Sequence, residues 1–177
     1  MASRDPADFL SEFISTLEPE QSVAGCGRAA RGELQLVVCE NGRRWIEHVR
    51  ARMTVLGIGV CHRTSPECCR EALDGRGRFL VLLELGSQPI RALKLLEELN
   101  GRGYDATVVV LAGMAQRFLE LVTRELGAVE FLVEPVASRT LAEILHRIAR
   151  AMLAGGRLEK EVRWRVPNQS PSQPDLG

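Results

Sequence analysis

Two stretches of this chain, Phe79–Leu83 and Val108–Ala112, are apolar without interruption. Neither approaches the roughly 20 residues that a membrane-spanning helix needs. Neither alternates apolar with polar residues, as a strand with one wet face would. Short unbroken runs of this kind predict strands buried on both faces, which requires helices packed above and below the sheet.

The rest of the chain supplies the partners for those two strands. Leu34–Cys39, Val55–Cys61 and Val129–Val133 are three further strand-like runs, and the central pair extends to Arg78–Leu85 and Thr107–Ala112. Between them lie helical stripes: Trp45, Ile46, Val49 and Met53; Ile90, Leu93, Leu96 and Leu99; Ala115, Phe118, Leu119, Val122 and Leu126; Leu141, Ile144, Leu145, Ile148 and Met152. Ser65-Pro66-Glu67 combines a capping hydroxyl, a proline at the first helical position and an acid in the first turn. Thr140 and Glu143 have the spacing of a capping box, while Asn100-Gly101 and Gly127 read as helix stops. Strands alternating with helices predict an α/β sandwich with a parallel sheet covered on both faces. Function in such a sheet belongs beyond the carboxyl ends of the strands, where strand order reverses.

The ordered domain is expected within 33–154. Residues 1–32 read as a short helix (Phe9, Phe13, Ile14 and Leu17, stopped by Pro19) and a Gly-, Ala- and Arg-rich linker. Residues 155–177 read as a charged, then Pro- and Ser-rich, flexible tail.

Charge narrows the partners. Among 177 residues, 23 basic side chains balance 23 acidic ones, so no global field gathers phosphates, and neither nucleic acid nor membrane is expected as a partner. Arg43, Arg44, Arg50 and Arg52, and Arg147 to Arg165 with Trp164, form local basic groups, but Glu143, Glu159 and Glu161 intersperse the second. An ordinary mixed surface is the expectation. The N-terminus carries acids and lacks the apolar core of a signal peptide. The five cysteines have no Cys-x-x-Cys spacing, which predicts reduced thiols and a cytoplasmic location. A reactive cysteine wants an exposed, electropositive surround, which Cys39 beside Glu40 lacks. Cys39, Cys61, Cys68 and Cys69, with the neighbouring His62, are therefore expected to be small packing residues rather than a redox centre. No nucleophile triad, Walker loop or dinucleotide glycine motif occurs, and His48 and His146 fall on helices.

Residues at the strand ends carry a resemblance. Val37-Val38-Cys39-Glu40-Asn41, Leu82-Leu83-Glu84-Leu85, Val108–Gly113 and Gly127–Pro135 match in order and spacing the strand ends of the receiver domain of bacterial two-component response regulators. The stretch from Leu34 to Met152 resembles that domain. The resemblance implies a flavodoxin-like, doubly wound (βα)5 three-layer αβα sandwich with sheet order 2-1-3-4-5. It places Glu84 at the phosphoacceptor position, Cys39 and Glu40 at the acidic pair, Ala112 at the switch hydroxyl, Glu134 at the lysine and Phe131 at the switch aromatic.

The departures decide the expected chemistry. One acid of the pair is missing, Ala112 cannot donate a hydrogen bond, and Glu134 inverts a charge that a new phosphoryl anion would need. Phosphoryl transfer depends on positioning and charge stabilisation, so a degenerate pseudo-receiver with no catalytic residue is expected. Glu84 reads either as a fixed mimic of phosphoaspartate, with one charge where phosphoryl carries nearly two, or as a disused position, which the loss of the hydroxyl favours. Glu40, Glu84 and Glu134 are candidates for a divalent cation such as Mg²⁺, set against solvated surface acids; no cofactor is expected. Phe131 reads equally as a permanently inward switch residue and as ordinary core.

The resulting expectation is a stand-alone signal-transduction domain that is not an enzyme. It would act independently of phosphorylation, through contact with another signalling protein or a second copy. By analogy with the family, the surface is the fourth helix, fifth strand and fifth helix, around Phe118–Met152. The alternatives are a phosphorelay response regulator with an unconventional, metal-dependent acceptor at Glu84, and a small-molecule- or redox-responsive domain.

Overall fold

The structure is a computed structural model that describes residues 33–73 and 77–155. The expectations for residues 1–32 and for the tail beyond 155 lie outside the described residues. Five strands form one parallel sheet: β1 (Leu34–Cys39), β2 (Gly59–Arg63), β3 (Arg78–Glu84), β4 (Ala106–Ala112) and β5 (Ala128–Val133), in the order β2-β1-β3-β4-β5. The helices are α1 (Arg44–Val55), α2 (Pro66–Leu73), α3 (Pro89–Gly101), α4 (Glu120–Glu125, preceded by a 3₁₀ segment over Met114–Leu119) and α5 (Ser138–Leu153). The expected three-layer architecture and strand order hold.

Two apolar layers sandwich the sheet because successive strand residues point to opposite faces. Leu36, Val38, Leu80, Leu82, Val109 and Leu111 pack under α1 and α5, against Trp45, Ile46, Val49, Met53, Leu141, Leu145 and Ile148. Val37, Val81, Leu83, Val110 and Phe131 pack on the other face, against Cys69, Leu73, Leu95, Leu96 and Leu99. The uninterrupted apolar runs thus divide their side chains between the two layers.

Three local expectations are corrected. The strand expected over Val55–Cys61 begins only at Gly59, because α1 runs on through Val55. A Schellman turn closes it: Gly57, at φ +69°, donates its N–H to the Thr54 carbonyl, and Ile58 donates to Met53. Ile58 and Met53 then meet in the core, so packing overrides the β-branched character of Val55. The capping box at Thr140 is absent. α5 starts two residues earlier, and Glu143 accepts from Arg139 at 2.9 Å instead.

The third correction concerns the helix before β5. Its expected buried stripe fails at Phe118, which is 77% exposed, and at Val122, which is exposed as well. The segment opens as 3₁₀ helix, and three residues per turn carry a 3.6-residue stripe out of register. Leu119 and Leu126 still reach the core. Thr123 takes the inward place, its hydroxyl donating within the helix toward the Leu119 and Glu120 carbonyls.

Candidate functional site

Sheet order reverses between β1 and β3, and the carboxyl ends of the strands gather the acids expected there. Glu40 follows β1, Glu84 ends β3, Ala112 ends β4, and Glu134 follows β5 at the start of a cis Glu134–Pro135 peptide. The geometry gives the three glutamates different tasks.

Glu40 is turned under the first turn of α1 and is only 3% exposed. Its Oε2 accepts the Trp45 N–H and its Oε1 the Ile46 N–H, each at 2.9 Å. These donors are among those that a helix start leaves without intrahelical partners, and a carboxylate there also meets the positive end of the helix dipole. His62 lies beyond, its Nε2 3.8 Å from Oε1 and 2.7 Å from the Gly42 carbonyl. A carbonyl only accepts, so His62 Nε2 carries the proton and donates to Gly42.

Glu134 faces Arg44, whose Nη1 donates to its Oε1 at 2.9 Å. The Arg44 guanidinium also lies 4.4 Å from the centroid of the Trp45 ring, close enough for a cation–π contact. Glu84 lies between the other two acids, and its Oε2 accepts the Asn41 N–H at 3.2 Å. Burial raises its pKa above the ordinary carboxylate range, and the charges of Glu40 and Glu134 add to that. The Asn41 N–H and Arg44 work in the opposite direction.

The carboxylates therefore share a neighbourhood without forming a cation cage. Among the described residues, no group of three or more His, Cys, Asp or Glu side chains is disposed to hold a metal ion. Of the three candidates, Glu40 has an oxygen committed to each of two helix N–H groups and Glu134 is paired with Arg44, which leaves Glu84. That donor set does not fit a Mg²⁺ site, which wants several hard oxygens around one point. Ala112 is buried and offers only a methyl group to a cavity of about 310 Å³ bounded by Glu84, Gly113, Gln116 and Glu134. Phe131 is buried in the layer facing α3, the inward arrangement common to both readings of it.

The cysteines divide. Cys39 and Cys69 are buried free thiols, and Cys68 is half-buried. The Cys69 thiol is pushed well up by hydrogen bonding with Cys39 and then by burial, which disfavours the nucleophilic thiolate. Cys61 is disulfide-bonded, which corrects the expectation of uniformly reduced thiols. It is buried on β2, the strand at one end of the sheet order, a placement that cysteine spacing does not reveal. Cys26 lies outside the described residues.

Two participants were not singled out as site residues by the sequence. Arg44 read as one of several surface arginines, yet it pairs with Glu134 at the strand ends. Gln116 carried no signal, yet it bridges two strand-end loops. Partners 90 residues apart, such as Arg44 and Glu134, meet only through the sheet.

No family model matches the chain, and no curated protein matches it in sequence. Solved structures do resemble it in fold. A CheY-like response regulator receiver domain protein from Methanospirillum hungatei is 16% identical, with 71% of this chain and 99% of that one covered and a TM-score of 0.57. The receiver domain of AraT from Geobacillus stearothermophilus is 14% identical (68% and 96% covered, TM-score 0.58). The receiver domain of NtrX from Brucella abortus is 21% identical (66% and 98% covered, TM-score 0.54). The chain thus has the flavodoxin-like fold of response regulator receiver domains, at identities that speak for architecture alone.

Proposed function

We propose that this chain is a receiver-like signal-transduction domain that works without phosphorylation, by protein–protein contact. The observation that carries the reading is the internal settlement of charge at the strand ends. Arg44 neutralises Glu134, Glu40 caps α1 from within, and Ala112 offers no hydroxyl. A phosphoryl group added at Glu84 would face Glu134, and the Arg44 guanidinium is already paired with that carboxylate. The reading assigns no catalytic residue and needs no cofactor.

The contact surface in this reading is the 3₁₀ segment and α4, with β5 and α5 behind them. Met114, Phe118, Leu121 and Val122 are exposed there together, and clustered exposed apolar side chains mark interaction sites. The partner is another signalling protein or a second copy of the chain; neither nucleic acid nor membrane is expected. No helix among the described residues is long and apolar enough to cross a membrane.

Thermal unfolding with and without Mg²⁺ and beryllofluoride tests the phosphorylation-independent reading. A ligand that binds only the folded state at 100 times its Kd adds about 2.7 kcal/mol, an easily measured rise in midpoint. The expected result is no rise. A Mg²⁺-dependent rise that disappears in Glu84→Gln would establish a working acceptor site and overturn the reading.

A further inference from the structure

The segment that carries the exposed apolar side chains is tied down by one residue. Gln116 sits in the middle of the 3₁₀ segment and reaches back over the cavity bounded by Glu84, Ala112 and Glu134. Its Oε1 accepts the Gly113 N–H at 3.0 Å, and its Nε2 donates to the Gly86 carbonyl. The two partners fix the amide's orientation, since the Gly113 N–H can only donate and the Gly86 carbonyl can only accept. Gly86 lies in the loop after β3, and Gly113 begins the connection out of β4. Neither glycine has a side chain with which to make such a tie. One neutral side chain therefore links two strand-end loops, using both ends of its amide and no charge.

What Gln116 holds is the surface next to it. Met114 and Phe118 are its neighbours in the 3₁₀ segment, and Leu121 and Val122 follow on α4. This stretch places little apolar area against the sheet, so its orientation depends on a few specific bonds rather than on burial. We propose that Gln116 is a positioning residue that keeps Met114–Val122 in its contact-ready orientation in the chain alone, without an added ligand. The inference rests on the reading of that segment as the contact surface and names what sets its conformation.

Amide hydrogen exchange on the full-length chain tests it, comparing wild type with Gln116→Ala and Gln116→Glu. Alanine removes both bonds. Glutamate keeps an acceptor for Gly113 but turns a carboxylate toward the Gly86 carbonyl. Both variants should speed exchange over 114–121 roughly tenfold, the equivalent of about 1.4 kcal/mol, while amides of β1 and β3 stay at wild-type rates. Unchanged exchange over 114–121 in Gln116→Ala overturns the proposal. Uniform acceleration through the sheet also overturns it, since that marks general destabilisation. Wild-type exchange in Gln116→Glu would remove the Gly86 bond from the account and overturn the bridge. Phe118→Asp leaves Gln116 in place and tests the contact surface separately, by sedimentation of the full-length chain alone across a concentration series. Local release in the Gln116 variants, with association indifferent to Phe118→Asp, would keep the positioning role and sink the contact reading.

Discussion

Replacing Glu40 by glutamine changes few atoms and tests what this carboxylate does. Both oxygens accept helix N–H groups at 2.9 Å, in a site 3% exposed to solvent. Glutamine keeps one oxygen, so one of these bonds survives as a neutral one. Its NH2 must then face the other backbone N–H, donor against donor. Losing one hydrogen bond to a charged acceptor costs about 1.5–3 kcal/mol, and weakening the second adds about 1 kcal/mol. Against this, an amide is cheaper to bury than a carboxylate. The expected net loss is about 2–4 kcal/mol at neutral pH, which for a domain of this size is a fall of roughly 8–15 °C in melting temperature. Urea unfolding followed by far-UV circular dichroism measures it, the midpoint falling while the slope stays constant. A loss below about 0.5 kcal/mol, the range of ordinary surface changes, would refute the capping account and return Glu40 to the pool of possible ligands.

Glu84→Gln should behave in the opposite way. Because burial lifts Glu84 above its unfolded value, its contribution to stability is fully present below the ordinary carboxylate range and is lost as pH rises through the folded-state value. The substitution should therefore raise the melting temperature at pH 7, with the gain vanishing toward about pH 4; a loss at pH 7 would contradict the sign. Phe131→Ala should cost about 3–5 kcal/mol in denaturant unfolding, as expected for a buried aromatic, and a cost below about 1 kcal/mol would deny it a core role. Phe118→Ser, at an exposed position, should stay within about 0.5 kcal/mol of wild type while weakening whatever association the chain shows. Gly127→Ala should destabilise by about 1–2 kcal/mol, because the residue has φ +102° and a Cβ there would approach the Asn100 side chain to 3.1 Å; an unchanged urea midpoint would show that the turn relaxes freely.

Apolar periodicity determined most of the architecture. The unbroken runs of β3 and β4 require a sheet covered on both faces, and the stripe Trp45, Ile46, Val49 and Met53 is buried as its spacing dictates. The Ser65-Pro66 helix start was equally legible, because a cap is a local arrangement: the Ser65 hydroxyl accepts the Cys68 N–H at 3.2 Å. Local signals failed where tertiary context competed with them. α1 ran on through Val55 to its Schellman turn, and the 3₁₀ opening before α4 turned Phe118 outward.

The site followed the same division. Its positions, Glu40, Glu84, Ala112 and Glu134, could be read because strand ends have a sequence signature. The duties of those residues could not. Glu40 becomes a helix cap, Glu134 the partner of Arg44, and Gln116 a bridge between loops, through contacts that join distant parts of the chain. A parallel sheet brings the carboxyl ends of strands far apart in sequence to one edge, and no spacing along the chain encodes which side chains then meet. Residue order along the chain was enough to read the fold and which side chains stand at the strand ends. How the charges there are settled emerges on assembly, because hydrogen bonds and ion pairs depend on distances that exist once the sheet is formed.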